Sequence, residues 1–219
     1  MDYKIKGETL TGIANAIREK TGSTAPIVPE DMADKVDEVY EAGKDGFTDD
    51  YLSNNNSKTM YAFAGPHWRD ELYHPTKPML NLGHTMQMFA YSNITDTKVP
   101  IGIVYSVNNA QTFQNAQEMV TIREFVADDT VGMTLQFQNC YKLKNLTMGG
   151  TVGKSIDTRW CPLTKESILS VLSVMSVSVS GQTATFNETA VNAAFTTDEW
   201  EALIAPKRSL GWTIALATA

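Results

Sequence analysis

Apolar positions recur along this chain with a long period in its middle third and with helical or strand periods on either side. Phe89, Phe113 and Phe137 stand at equal intervals of 24 residues. Each is followed by a small or polar cluster: Phe89-Ala-Tyr-Ser-Asn, Phe113-Gln-Asn-Ala and Phe137-Gln-Asn-Cys. An apolar pair three apart follows in the last two units, Met119 with Ile122 and Leu143 with Leu146. The first unit offers only Ile94 with Thr97, one residue early, and is the weakest copy. A period of roughly 20 to 29 residues with this layout predicts a stack of coils, since one coil cannot bury its own apolar edge and equivalent side chains must cover one another. The rival reading is an accidental spacing of three aromatics in an ordinary α+β domain.

Upstream the period is helical. Leu10, Ile13, Ala14 and Ile17 fall at i, i+3, i+4 and i+7, one helical stripe. Arg18 and Lys20 suit a helix C-terminus, and Gly22 can take the left-handed cap. Pro26-Ile-Val-Pro29 is an extended link, after which Met32, Val36, Val39 and Tyr40 form a second stripe ending near Gly43. Two such short helices fold on each other or bury their stripes in a second copy or another protein. Residues 45–60 are polar and turn-rich, a linker by composition.

Between linker and repeats stand Tyr61, Phe63 and Trp68. These aromatics would cover the open end of the stack, where apolar side chains and edge backbone would otherwise face water. The rival is a ligand platform made by His67, Trp68, Tyr73 and His74. Downstream, Thr164 predicts the cap of a helix from Lys165 to Met175, with Ile168, Val171, Leu172 and Met175 on one face. Val177-Ser-Val-Ser-Gly181-Gln-Thr-Ala-Thr-Phe186 alternates on both sides of Gly181 and predicts a hairpin. Thr196-Thr-Asp-Glu199 is a capping box opening a helix through Trp200, Leu203 and Ile204, and Gly211-Trp212-Thr-Ile214-Ala-Leu216 reads as a last strand.

Composition narrows the function classes. The chain has 219 residues and a net charge of −7, which argues against nucleic acid as a partner because phosphate binding wants clustered Lys and Arg. No run of about 18 apolar residues is present to span a membrane. The N-terminus carries charges and no apolar stretch, so it does not read as a secretory signal, and the four Asn-x-Ser/Thr sequons read as chance. Cys140 and Cys161 are too few for a disulfide scaffold, and no bridge is expected in a chain made in a reducing cytosol. His67, His74 and His84 show no metal-ligand spacing, and no catalytic elbow is present. Gly153-Lys154-Ser155 invites a phosphate-loop reading, but Met148 stands where the motif needs Gly. Asp49-Asp50 and Asp128-Asp129 are adjacent pairs that would face apart in a strand and be solvated in a loop. No catalytic residue, cofactor or metal is expected, and the chain is read as a non-enzyme.

Phe137-Gln-Asn-Cys140-Tyr-Lys-Leu143-Lys-Asn-Leu146-Thr-Met148 has the form F-x-N-C-x-x-L-x-x-L-x-M. Here the sequence resembles BspA-like leucine-rich repeats, found in bacterial surface proteins and in phage and prophage structural proteins. Over about the first 45 residues, the word order Leu10-x-x-Ile13-Ala14-x-Ala16-Ile17-Arg18-x-Lys20-Thr21-Gly22, then Ile27-x-Pro29-x-x-Met32, resembles a segment at the front of tail, baseplate and fibre-like proteins of phages from Gram-positive gut bacteria. The Y-x-F-x-G-x-x-W block before the first repeat and the final W-T-I strand are similar to the caps of such proteins.

The resemblance implies an α+β chain in three parts. Residues 1–44 form an N-terminal helical hairpin for attachment or oligomerisation, with Leu10, Ile13, Ile17, Met32, Val36 and Val39 as candidate docking residues. After the linker, 61–219 hold a short leucine-rich-repeat solenoid (repeats about 85–150) with an α/β C-terminal cap (about 158–217). It implies a virion appendage made in the bacterial host cytoplasm: a tail, fibre or head fibre. Its partners would be other virion proteins, further copies of itself (a trimer by analogy) and a host-surface glycan or protein, with no nucleic acid and no membrane. The alternative is a bacterial interaction module with the same repeats and no virion role.

Overall fold

The structure is a computed structural model that describes residues 62–82, 85–103 and 111–218. The six docking residues Leu10, Ile13, Ile17, Met32, Val36 and Val39 lie outside the described residues, as do the 45–60 linker and His84.

The 24-residue recurrence is realised as a stack of rings. Phe89 and Phe113 lie nearly parallel with centroids 5.2 Å apart, and Phe113 and Phe137 likewise at 6.1 Å. All three are buried. Phe125, which the repeat spacing does not single out, turns its edge to Phe113 and Phe137 at 5.6 and 5.8 Å. Each stack or edge contact adds about 0.5–1.5 kcal/mol beyond the area it buries.

The backbone follows the same register. Strands β1 (Met79–Leu82), β2 (Ile101–Ile103), β3 (Thr121–Ala127) and β4 (Asn145–Gly150) form one sheet in chain order, every neighbouring pair parallel. Ile101 pairs with Phe125, and Thr121 with Asn145, each 24 residues on. Ile122 lies opposite Leu146 and is buried with it, with Met119 and with Leu143, so the apolar pairs of the last two units line one core.

The weak first unit is repaired by one extra residue. Asp96 bridges to Thr121, a separation of 25, so Thr97 takes the place that Ile122 holds in the next unit. Thr97 is fully buried, and its hydroxyl accepts from the Arg123 N–H at 3.0 Å. Lys98 then turns at φ +58° while the Val99 N–H donates to the Thr97 carbonyl at 2.6 Å. This tight turn absorbs the surplus residue and returns Ile101 to the 24-residue register with Phe125.

Both ends of the stack are covered. At the first end Phe63 lies 5.3 Å from Phe89, 5.1 Å from Trp68 and 5.0 Å from Tyr73. The Phe63 and Gly65 N–H groups donate to the carbonyls of Met88 and Ala90, and the Tyr73 hydroxyl donates to the Thr97 carbonyl. At the far end helix α1 (Lys165–Val174) runs along the free edge of β4, capped by Thr164 as the sequence predicts. Its serines stand in for a fifth strand: Ser167 Oγ accepts from the Leu146 N–H and Ser170 Oγ from the Met148 N–H, both at 2.8 Å. A strand edge left bare would be a template for unwanted pairing, and this one is closed by side chains.

A second sheet follows, β5 (Ile156–Thr158), β6 (Gln182–Asn187) and β7 (Trp212–Ala217), again all parallel and in chain order. Helix α1 lies between β5 and β6 in sequence. Helices α2 (Glu188–Ala194) and α3 (Thr197–Ser209) lie between β6 and β7. The described residues thus make a mixed architecture of two parallel sheets and three helices. The capping box of Thr196 and Glu199 opens α3, and the last strand is as expected.

The hairpin around Gly181 is not formed. Only its second half becomes a strand, and β6 pairs with β5 and β7. On the other side the Val179 N–H donates to the Leu210 carbonyl instead. A Cβ on Gly211 would sit 2.1 Å from the Val179 carbonyl oxygen, so that close approach requires glycine. Alternation identifies strand-like backbone but not the partner it pairs with, and a helix on either side of β6 leaves parallel pairing as the outcome.

Candidate interaction surface

Each unit turns through a residue in the left-handed region: Tyr91 (φ +59°), Asn115 (+63°) and Asn139 (+61°), again 24 apart. Asparagine is the non-glycine residue best suited to that conformation, because its short amide can bond locally. The turns are laced together by backbone bonds, the Tyr91 N–H to the Asn115 carbonyl and the Asn115 N–H to the Gln138 carbonyl. Side-chain amides repeat the pattern. Asn139 Nδ2 donates to Asn115 Oδ1 at 2.8 Å, Gln87 Nε2 to Gln114 Oε1 at 2.7 Å, and Gln114 Nε2 to Gln138 Oε1.

These amides are half-buried. A carboxamide has two N–H donors and two acceptor lone pairs, so a ladder that uses one or two of these leaves the rest for solvent or a ligand. Two tyrosines stand out of this edge, Tyr91 at 57% exposure and Tyr141 at 50%. The Tyr141 hydroxyl donates to Asn139 Oδ1 at 2.8 Å, which fixes its ring beside the ladder. The neighbouring charges cancel: Lys142 pairs with Glu118, one unit apart.

Elsewhere the described residues offer little converging chemistry. Tyr73 is fully buried and Trp68 packs on Phe63, so the His67, Trp68, Tyr73, His74 set does not form an open platform. Its aromatics serve as the cover of the stack. His74 Nε2 lies 2.8 Å from the Glu71 carbonyl. No cluster of three or more metal-ligating side chains occurs among the described residues. Among those residues, no helix is long and apolar enough to cross a membrane.

Both thiols are free and buried. Burial pushes the Cys140 thiol up to about 12 and the Cys161 thiol well above its ordinary value. Their S–H groups point at the carbonyls of Phe113 and Phe137, so they act as core groups. The 149–155 stretch leads from β4 into β5 without the helix a phosphate loop requires. Asp128 spends its carboxylate on Thr130, accepting from both its N–H and its hydroxyl.

One open groove of about 860 Å³ lies between residues 162–165 and α2. Its charged lining group, Lys165, sits over the Phe195 ring at 4.7 Å and 3.8 Å from Glu199, which already balances it. The amide–tyrosine edge is therefore the surface on which exposed, directional and uncharged groups converge. Sequence reading recognised the Phe-Gln-Asn wording but not this edge, whose signal was the 24-residue echo of Asn and Gln beside the phenylalanines. Comparison with protein-family models, with curated proteins and with solved structures finds no match to the chain.

Proposed function

We propose that the protein is a phage or prophage virion component, a tail, fibre or head-fibre protein. In this reading its repeat domain is a short BspA-like leucine-rich-repeat solenoid displayed towards the host surface. The observation that carries the reading is the register itself. Phe89, Phe113 and Phe137 stack at 24-residue intervals, the four strands pair parallel in chain order with β2 and β3 in that same register, and both ends are covered. Such a stack presents an extended outer surface whose side chains can vary without disturbing the core, which suits recognition rather than turnover.

The N-terminal segment, with Leu10, Ile13, Ile17, Met32, Val36 and Val39 as docking residues, attaches the protein to other virion proteins or to further copies of itself. Several repeat domains on one particle then bind together, so modest single-site affinity becomes firm attachment. The measurement that tests this is the solution mass, by light scattering, of the full chain and of a version starting at Asp45. A closed oligomer for the full chain with a folded monomer for the shortened one is the expected result. Monomers in both cases would refute self-assembly through residues 1–44.

A further inference from the structure

We infer that the edge carrying Tyr91, Asn115, Asn139 and Tyr141, with the Gln87, Gln114 and Gln138 ladder beside it, is a binding strip for a neutral, linear oligosaccharide. The inference rests on the reading of the repeat surface as a host-contacting face and names the chemistry it would contact.

Tyr91 is the first reason. It holds a left-handed backbone at φ +59° where the two sister turns carry asparagine. An L-residue with a bulky side chain is strained there. The strain brings no core packing in return, since the ring is 57% exposed. Strained backbone carrying an exposed aromatic points to a role for the ring outside the fold.

Geometry is the second. Tyr91 belongs to the first turn and Tyr141 to the third, bonded to Asn139, so the two rings stand two units apart with amides between them. Neighbouring units in a parallel stack are about 4.7–4.9 Å apart, close to the advance of one pyranose in an extended glycan. Successive sugars can therefore meet successive amides.

Chemistry is the third. A pyranose has one face of C–H groups, which packs on an aromatic ring, and a rim of hydroxyls that both donate and accept. Carboxamides with spare donors and acceptors match that rim, as a purely acidic or purely basic surface would not. The strip carries no net charge, since Lys142 and Glu118 neutralise each other. A polyanion would need clustered cations. A peptide adding as a strand would need unpaired backbone, whereas the turns here already bond to one another.

The test uses the full chain, Tyr91→Asn and Tyr141→Ala on an array of chitohexaose, cellohexaose, mannohexaose and their acidic counterparts. Tyr91→Asn installs the residue that the sister turns already carry, so the variant folds. The expected result is binding of at least one neutral oligosaccharide, weakened at least about tenfold by each substitution, the effect of losing one aromatic anchor. Binding of acidic glycans only, of none, or equally by all three proteins would overturn the inference. Labelled chain applied to Gram-positive gut bacteria separates this from the virion reading. Decoration that survives periodate oxidation of the cell surface would sink the glycan strip and leave host binding standing. Neutral-glycan binding without decoration of any cell would do the reverse.

Discussion

Shortening one ring in the middle of the stack should reveal whether the 24-residue repeat acts as a mechanical unit. Phe113 is fully buried and touches three rings, Phe89 at 5.2 Å, Phe125 at 5.6 Å and Phe137 at 6.1 Å. Removing a buried phenylalanine to alanine costs about 3–5 kcal/mol, and Phe113→Ala should fall at the upper end because all its contacts are inside. Against a total stability of about 5–15 kcal/mol this is a large fraction, so Phe113→Leu is the cleaner probe. It keeps most of the apolar volume and loses the three ring contacts. At about 0.5–1.5 kcal/mol each, and with partial repacking, the loss is about 2 kcal/mol.

Two assays read that number independently. Urea unfolding should show a lower midpoint with an unchanged slope. Thiol labelling should report the same loss locally, because the Cys140 thiol donates to the Phe113 carbonyl and burial raises it to about 12, so native labelling at neutral pH requires opening. If reclosing is fast, a 2 kcal/mol loss accelerates labelling about thirtyfold. A double-mutant cycle then tests the linear order. Leucine at 89 and 113 should couple by about 0.5–1.5 kcal/mol, whereas 89 and 137, which share no ring contact, should add within about 0.5 kcal/mol. Equal coupling of 89 with 113 and with 137, or a Phe113→Leu cost below about 0.5 kcal/mol, would refute the stack as the stabilising unit.

Three further outcomes follow from single contacts. Ser167→Ala leaves the Leu146 N–H buried without its acceptor and should cost about 1–3 kcal/mol, more than Ser170→Ala at the half-exposed Met148 contact; the reverse order in urea melts would contradict the edge-closing role of α1. Tyr91→Asn relieves left-handed strain and should raise stability by about 0.5–1 kcal/mol, read as a higher thermal midpoint. The Thr196 N–H and hydroxyl hold the Glu199 carboxyl below its ordinary 4.5, with help from Lys165. A depressed carboxylate stabilises the fold above its unfolded value and loses that contribution as pH falls through its folded one. The stability gap between wild type and Glu199→Gln should therefore be present at neutral pH and close on acidification below 4.5. A gap constant through that range would show that the charge plays no part in the capping box.

How far the sequence disclosed this structure depends on the distance over which each contact is written. Phe89, Phe113 and Phe137 were legible because one large residue type recurs at one interval, and a buried ring tolerates few alternatives. Thr164 and the Thr196-Glu199 box were legible because a cap is decided within four residues. Phe125 was not, since it enters the ring stack from β3, where the pairing slips by one residue between Ile122 and Phe125. Ser167 and Ser170 looked like ordinary polar positions of a helix; their role depends on the free edge of β4, about 20 residues back in the chain. The Gly181 hairpin failed for the same reason, because period two describes one strand and says nothing about its neighbour.

The candidate strip was harder to read than the core, and the physical cause is the same register that made the core visible. Stacking at 24 residues brings positions of one unit beside their equivalents in the next, inside and outside alike, wherever the register holds. Inside, burial demands an apolar side chain in each unit, so the period survives in residue type. Outside, water accepts many residues, so Tyr91 can stand above Asn115, and Tyr141 in the column of Gln117 and Asn93, without cost to the core. The outer columns are therefore free to hold a pattern that differs from unit to unit. A recognition surface can diverge on such a stack while Phe113 and Leu146 stay as they are. The corollary is measurable: substitutions at Tyr91 and Tyr141 should move glycan binding and leave the unfolding free energy within about 1 kcal/mol, whereas Phe113→Leu should lower stability first.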